Sequence, residues 1–357
     1  MKAYLLKSIH DLNREDNPLV LSDLPDPIPQ RDEILIRVSC CGICHTELDE
    51  VEGRTPPSAY PVIPGHQVVG EVEGLGSAVT RFRIGDRVGV AWIFLACGVC
   101  EHCLEGNENL CPEFKGTGRD ANGGYAEYMT VNEKYAYRIP DAFRDEEAAP
   151  LLCAGAIGYR SLRLTGIHDG QVLGLTGFGA SGHLVLKMAR FMYPSSPILV
   201  FARSSEEQAF SLTLGAVWAG QVTDEPPYQA HAIIDTTPVW TPVVESLRHL
   251  RSGGRLVINA IRKESVDHSA LLQLDYPQHL WMEKEIKSVA NITRKDVEDF
   301  LLLAARIPLR PEFEIYPFAD ANKALVDMKR KSVKGAKVLS VMPVPSKSPR
   351  TVAAVRD

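Results

Sequence analysis

Two textures of hydrophobic patterning divide the chain. Up to about residue 150, apolar residues come in short alternating runs. In residues 33–38, Ile34, Ile36 and Val38 fall on one face of an extended segment. Residues 70–74 and 86–90 repeat that pattern between turn signals, and this part is rich in Gly and Pro. Short strands with frequent turns predict a compact β-barrel-like domain. From Gln171 onward the period changes. Apolar strands at 172–176, 198–202, 232–235 and 255–259 alternate with helical patterns at 182–191 and 206–214. A further helix is predicted to open with Thr241 as N-cap and Pro242 in its first turn, where proline is tolerated. This β-α-β alternation predicts an α/β fold with a doubly wound parallel sheet. Helical patterns at 296–306 and 319–331 and a strand at 337–341 follow. The tail, 343–357, carries prolines and scattered charge and predicts a fraying end.

A length of 357 residues favours two domains. The net charge of -6, with no long block of either sign, argues against a nucleic-acid surface. The longest apolar stretch, 88–100, is too short for a membrane-spanning helix. The first ten residues are broken by Lys2, Lys7 and His10 and lack a signal-peptide core. The eight cysteines are grouped as Cys40, Cys41, Cys44, then Cys97, Cys100, Cys103, Cys111, with Cys153 apart. Outside a secreted context, such grouping points to metal rather than disulfides, and to a cytoplasmic protein.

Cys97-x2-Cys100-x2-Cys103-x7-Cys111 supplies four thiols within a polar loop. Four thiolates close a tetrahedral zinc site and leave no position for a substrate, so a structural zinc is predicted. Cys44, His66 and Cys153 are distant in sequence, and spacing does not join them. Taken singly, His66 also reads as a partly buried histidine and Cys153 as a small core residue. The run Gly177-Phe178-Gly179-Ala180-Ser181-Gly182 is a GxGxxG between a predicted strand and a predicted helix. In that context the glycines permit a tight turn and close approach of a pyrophosphate to a helix N-terminus. At the end of the next strand stand Ala202, Arg203 and Ser204, with no acid before Glu206. An acid there would bind the adenosine ribose of NAD(H) and repel a 2'-phosphate. Its replacement by a cation and hydroxyls favours NADP(H), with NAD(H) as the alternative.

The order of a Cys-His-Thr loop, a Pro-Gly-His turn, the four-cysteine lobe, a lone cysteine and a dinucleotide motif resembles the zinc-containing alcohol dehydrogenases. These belong to the medium-chain dehydrogenase/reductase superfamily, and the resemblance runs from Met1 to about Val341. It implies a GroES-like catalytic domain (1–154 and 293–357) around a Rossmann domain (155–292), and two Zn2+ per chain. Cys44, His66 and Cys153 would hold a catalytic zinc, Glu47 would orient His66, and Thr46 would take the alcohol proton. His45 and Lys337 would reach the pyrophosphate. Trp92, Ile93 and Phe94 would line an apolar substrate channel.

Three positions depart from the family pattern. Gln67 replaces the Glu that commonly follows the ligand histidine. Asp49 stands where a histidine often ends the proton relay. Ile157 replaces a threonine near the nicotinamide. The resemblance implies a zinc-dependent alcohol dehydrogenase or aldehyde reductase acting on primary or secondary alcohols and carbonyls with an apolar side, in a homo-oligomer (dimer or tetramer). The alternatives are a zinc-independent quinone or enone reductase, or a catalytically silent NADP-binding protein.

Overall fold

The computed structural model describes residues 1–307, 309–331 and 335–342; the expected fraying tail lies outside them. Two large sheets organise the chain. The first joins Phe313–Pro317, Ala336–Ser340, Glu33–Ile43, Gln67–Leu75, Arg87–Val90 and Ala136–Arg138 in that order, with Tyr128–Asn132 also paired to Glu33–Ile43. Its pairings are antiparallel except that between Phe313–Pro317 and Ala336–Ser340. Glu33–Ile43 runs well past the alternating residues 33–38, because Cys40, Cys41 and Ile43 are buried against neighbouring strands. Cys40 and Cys41 are thus packing residues.

The second sheet is parallel throughout, in the order Trp218–Gly220, Ile198–Phe201, Leu173–Thr176, Ala230–Asp235, Leu250–Ile258, Glu285–Ser288. Its central strands are buried on both faces, which is why they read as continuous apolar runs rather than alternations. The order reverses beside Leu173–Thr176, and ligands of such sheets bind outside the strand carboxyl ends at that reversal. Two strands escape the sequence pattern. Trp218–Gly220 has three residues, and Glu285–Ser288 is an edge strand exposed along its whole length.

The helix Thr241–His249 corrects one expectation. Trp240 occupies the cap position, and Thr241 is already helical. The acceptor comes from elsewhere: the Asp267 carboxylate takes the N–H groups of Trp240 and Thr241 and the Thr241 hydroxyl, at 2.7–3.0 Å.

An apolar core runs without a break from Val69 and Tyr137, through Leu151, Leu152 and Leu162, to Leu175 and Ile234. The helices Asp145–Pro150 and Ala156–Thr165 therefore join the two sheets. A buried ion pair reinforces the junction. Asp296 accepts Arg160 Nη1 at 2.6 Å and Arg163 Nη1 at 2.5 Å, and Thr293 N–H and Oγ1 at 2.9 and 2.7 Å. Burial opposes ionisation of Asp296, but the Thr293 N–H and the Arg160 guanidinium hold its carboxyl below the usual range. A carboxyl depressed in the folded state contributes stability that is complete above the unfolded pKa of about 3.9 and is lost as pH falls through the folded value. Asp296→Asn is accordingly expected to cost about 3 kcal/mol in urea unfolding at pH 7. The cost should be much smaller below the folded pKa, and an equal loss at both pH values would refute the ionic origin.

Candidate active site

The folded chain brings Cys44, His66 and Cys153 together, with one ligand atom from each lying within 4.8 Å of the others. Each arrives on a different kind of element. Cys44 follows the long strand Glu33–Ile43 and caps the helix His45–Val51, its Sγ accepting the Thr46 N–H at 3.3 Å. His66 follows Gly65, whose φ of 98° and contact with Tyr125 leave no room for a side chain. Cys153 sits in the π-helical turns Leu151–Gly155, which begin after Pro150, a residue without an N–H to continue the α-helical ladder.

Glu47 fixes two members of the set at once. Its Oε2 accepts the Cys44 N–H at 2.8 Å, and its Oε1 lies 2.5 Å from His66 Nδ1. His66 therefore turns Nε2 towards Cys44 Sγ, 3.7 Å away. Tetrahedral zinc places a thiolate and an imidazole nitrogen roughly 3.6 Å apart, so the donors fit that ion. Burial disfavours a charged His66, but Glu47 and Cys44 outweigh it and raise its pKa well above the usual value. The adjacent Cys153 and burial raise Cys44 likewise. Such protons leave when a cation takes their place.

Trp92 packs edge-on against His66 at 4.9 Å, and the Arg119 guanidinium lies 5.5 Å over the Trp92 ring. Arg119 is held by Asp120 through Nε and Nη2 at 3.0 and 2.6 Å. Ile93 is buried beside Trp92, and Phe94 is half-buried. Gln67 is buried in the position after His66, and its Nε2 finds no partner.

Cys97, Cys100, Cys103 and Cys111 form the second donor group, again within 4.8 Å. Cys97 and Cys103 Sγ are 3.9 Å apart, close to the roughly 3.8 Å edge of a zinc tetrathiolate. Backbone N–H groups of Val99 and Cys100 push the Cys97 thiol down to about 7, while burial pushes Cys103 up to about 12. Val99 and Leu104 of this lobe point into solvent, so the lobe has little apolar core of its own.

The glycine motif forms the expected strand-turn-helix. Gly177 has φ of 83° beside Thr236, and a Cβ on Gly182 would strike the Gly177 carbonyl at 2.7 Å. Gly179 faces open space at the N-terminus of the helix Ala180–Met192, which leaves backbone and Ser181 accessible to an anion. Arg203 is exposed after Ala202, and Ser204 caps the next helix by accepting the Glu207 N–H. His45 is exposed beside Cys44, Thr46 is half-buried, and Ile157 lies at the start of the helix following Cys153.

Two of the expected site residues are engaged by other side chains. Lys337 does not point to a pyrophosphate: its buried ammonium donates to Glu314 at 2.7 Å and to the Tyr316 hydroxyl at 2.8 Å. Asp49 is not a free relay carboxylate, because Oδ1 accepts Arg54 Nε at 2.5 Å and Arg262 Nε and Nη2 at 3.2 Å. The sequence reading also missed Arg262 itself and Glu50, a buried carboxyl without hydrogen-bond partners whose pKa burial and Glu47 push well up. Both lie outside any motif; the run of acids Glu47, Asp49, Glu50 in one short helix was the visible signal.

A parallel nucleotide-type sheet joined to an antiparallel domain bearing an open three-donor site and a closed four-thiol site defines a metal-dependent, dinucleotide-linked oxidoreductase. Comparison with known proteins agrees. The alcohol dehydrogenase GroES-like domain family matches residues 30–141. A probable alcohol dehydrogenase, AdhA, of Mycobacterium tuberculosis (strain CDC 1551 / Oshkosh) is 41% identical over 327 residues, covering 90% of this chain and 92% of its own. A cinnamyl alcohol dehydrogenase structure from Sorghum bicolor superposes with a TM-score of 0.81 at 25% identity, over 95% of this chain and 97% of that one. A thermostable alcohol dehydrogenase from Pyrobaculum aerophilum, solved with cobalt and zinc, gives 0.82 at 25% identity, over 96% and 99%. The chain belongs to the zinc-containing alcohol dehydrogenases of the medium-chain dehydrogenase/reductase superfamily. It is an alcohol/aldehyde oxidoreductase.

Proposed function

We propose that the protein is an NADP(H)-preferring, zinc-dependent alcohol dehydrogenase or aldehyde reductase for primary or secondary alcohols and carbonyls with an apolar side. The observation that carries this reading is the convergence of Cys44, His66 and Cys153 with Glu47 behind them. A zinc ion held by those three residues would lower the pKa of a bound alcohol and polarise a bound carbonyl. Around it, Glu47 keeps His66 in one tautomer, and the Thr46 hydroxyl takes the alcohol proton. Buried Trp92 and Ile93 give the site an apolar wall. The backbone at Gly177, Gly179 and Gly182, with Ser181, His45 and Ile157, would receive the dinucleotide, whose nicotinamide would supply the hydride chemistry. Cys97, Cys100, Cys103 and Cys111 hold a second, structural zinc.

The domain boundaries proposed are 1–154 with 293–357, and 155–292, the chain crossing between the two sheets at each. The exposed edge strand Glu285–Ser288, near exposed Trp281 and Met282, supports a homo-oligomer. Eight unpaired cysteines support a cytoplasmic setting. No helix among the described residues is long and apolar enough to cross a membrane. The complete donor set weighs against a zinc-independent quinone or enone reductase and against a silent NADP-binding protein.

The test is oxidation of NADPH and of NADH by zinc-replete enzyme with benzaldehyde and with a medium-chain aldehyde, with and without chelator. Chelator-sensitive turnover is expected, faster with NADPH; turnover that ignores the chelator would defeat the reading. For the cofactor, Arg203→Asp is expected to raise KM for NADPH at least about tenfold, the equivalent of about 1.4 kcal/mol, and to spare NADH. An unchanged NADPH/NADH ratio would remove Arg203 from the argument.

A further inference from the structure

Asp49 belongs to the helix His45–Val51, five residues after the zinc-site cysteine Cys44, and is buried. Of the two guanidiniums on its Oδ1, Arg54 comes from the same domain, whereas Arg262 comes from the parallel-sheet domain. Arg262 follows the strand Leu250–Ile258 by four residues and so stands outside the carboxyl end of that sheet. The segment bearing it is itself anchored. Lys263 donates to the Asp235 carboxylate at the end of the neighbouring strand, and to the carbonyls of Thr237 and Val239 at 2.7 and 3.1 Å. A cavity of about 450 Å³ adjoins the pair, lined by Arg54 and Lys329 on one side and by Arg262, Lys263 and His268 on the other. Of the other polar links between the domains, Asp296 with Arg160 and Arg163 lies close in sequence to the chain crossings on both sides, and Asn109 with the Ala290 carbonyl does so on the Ala290 side. The Asp49–Arg262 bridge does not: it joins the zinc-site helix directly to the ligand edge of the sheet.

We propose that Arg262 is a positioning residue that latches the catalytic domain onto the carboxyl edge of the parallel sheet and thereby slows departure of a bound dinucleotide. The proposal rests on the dinucleotide-cleft reading above. A partly solvated ion pair contributes little to static stability. When it spans the two walls of a binding cleft, however, its rupture precedes release, and truncating one partner appears in the dissociation rate. Arg54 supplies the internal control, since it binds the same oxygen without crossing between domains.

The experiment measures equilibrium binding and stopped-flow dissociation of NADPH and NADH by nucleotide fluorescence, for the wild-type zinc-replete protein and for Arg262→Gln, Arg262→Lys and Arg54→Gln. Hydrogen exchange of residues 259–266 is followed with nucleotide bound. Arg262→Gln is expected to release nucleotide about tenfold faster and to expose that segment to exchange, with Arg262→Lys and Arg54→Gln each within about threefold of wild type. Raising the salt concentration should narrow the gap between wild type and Arg262→Gln. Binding of nucleotide with an unchanged dissociation rate in Arg262→Gln would overturn the latch and leave the cleft reading intact. Equal acceleration by Arg54→Gln would overturn it too, by showing that the charge on Asp49 rather than the bridge matters. Failure of the wild type to bind either nucleotide would overturn the cleft reading and the latch together.

Discussion

If both donor groups hold zinc as proposed, His66→Ala is expected to leave a folded chain with about half the wild-type zinc and at least about 10³-fold lower kcat/KM, the equivalent of about 4 kcal/mol of transition-state stabilisation. The argument is geometric. His66 contributes the imidazole of a three-donor set, and without it only the thiols of Cys44 and Cys153 remain in that set. The four-cysteine group has four donors of its own and would keep an ion bound there. Glu47→Gln provides the graded companion. The amide still occupies the buried space but presents a weaker acceptor to His66 Nδ1, so metal affinity and kcat/KM should fall about 10- to 100-fold. Zinc content per chain, measured beside kcat/KM and far-ultraviolet circular dichroism, checks both variants. Wild-type turnover by His66→Ala with one zinc bound would exclude the Cys44/His66/Cys153 set from the chemistry.

Cys103→Ala is expected to lower Tm by ~10 °C and to make residues 97–111 the first site of proteolysis, while the parallel sheet stays folded. A lobe that exposes Val99, Leu104 and Leu110 has little buried apolar surface of its own. Its helical pieces, Glu101–Leu104 and Glu108–Leu110, are too short to persist unaided. Loss of one thiolate leaves three donors and an open zinc position, and the ion becomes accessible to chelators. The damage would spread through Glu108, which accepts the N–H and Nε of Arg294 at 2.8 and 2.9 Å at the start of the helix Arg294–Arg306, and through Asn109, which donates to the Ala290 carbonyl at 2.6 Å. Differential scanning calorimetry with limited proteolysis reads the outcome. An unchanged Tm with an intact lobe would mean that the thiols do not hold it.

Much of this protein was legible in its residue order. The period-2 alternation around Ile34, Ile36 and Val38 and the apolar strands separated by helical patterns are local signals, produced by side chains that alternate across a strand or stack along a helix. The four-thiol lobe was legible for the same reason, because its ligands fall within one loop. The GxGxxG was legible because a tight turn and close packing exclude side chains at fixed spacing, as the contacts of Gly177 and Gly182 bear out. Sequence also placed Trp218–Gly220 and Glu285–Ser288 nowhere, since neither a three-residue strand nor an exposed edge strand carries a periodic apolar signature.

What only the tertiary structure decided concerns groups whose partners lie far away along the chain. Cys44, His66 and Cys153 needed the long strand, the Pro-Gly-His turn and the π-helical turns before they could meet. Lys337 could not be assigned from its place in a strand, because Glu314 and Tyr316 across the sheet claim its ammonium. Asp49 read as a relay residue until Arg54 and Arg262 closed on it. The acceptor for the N-terminus of Thr241–His249 came from Asp267 rather than from the chain's own Thr241. Backbone pattern follows from neighbouring residues, whereas the charge state and task of a buried polar side chain depend on what the fold brings against it. By itself the sequence determined the β-rich and α/β regions, the clustering of four thiols in one loop and the glycine turn; the meeting of Cys44, His66 and Cys153 and the Asp49–Arg262 bridge exist only once distant segments pack.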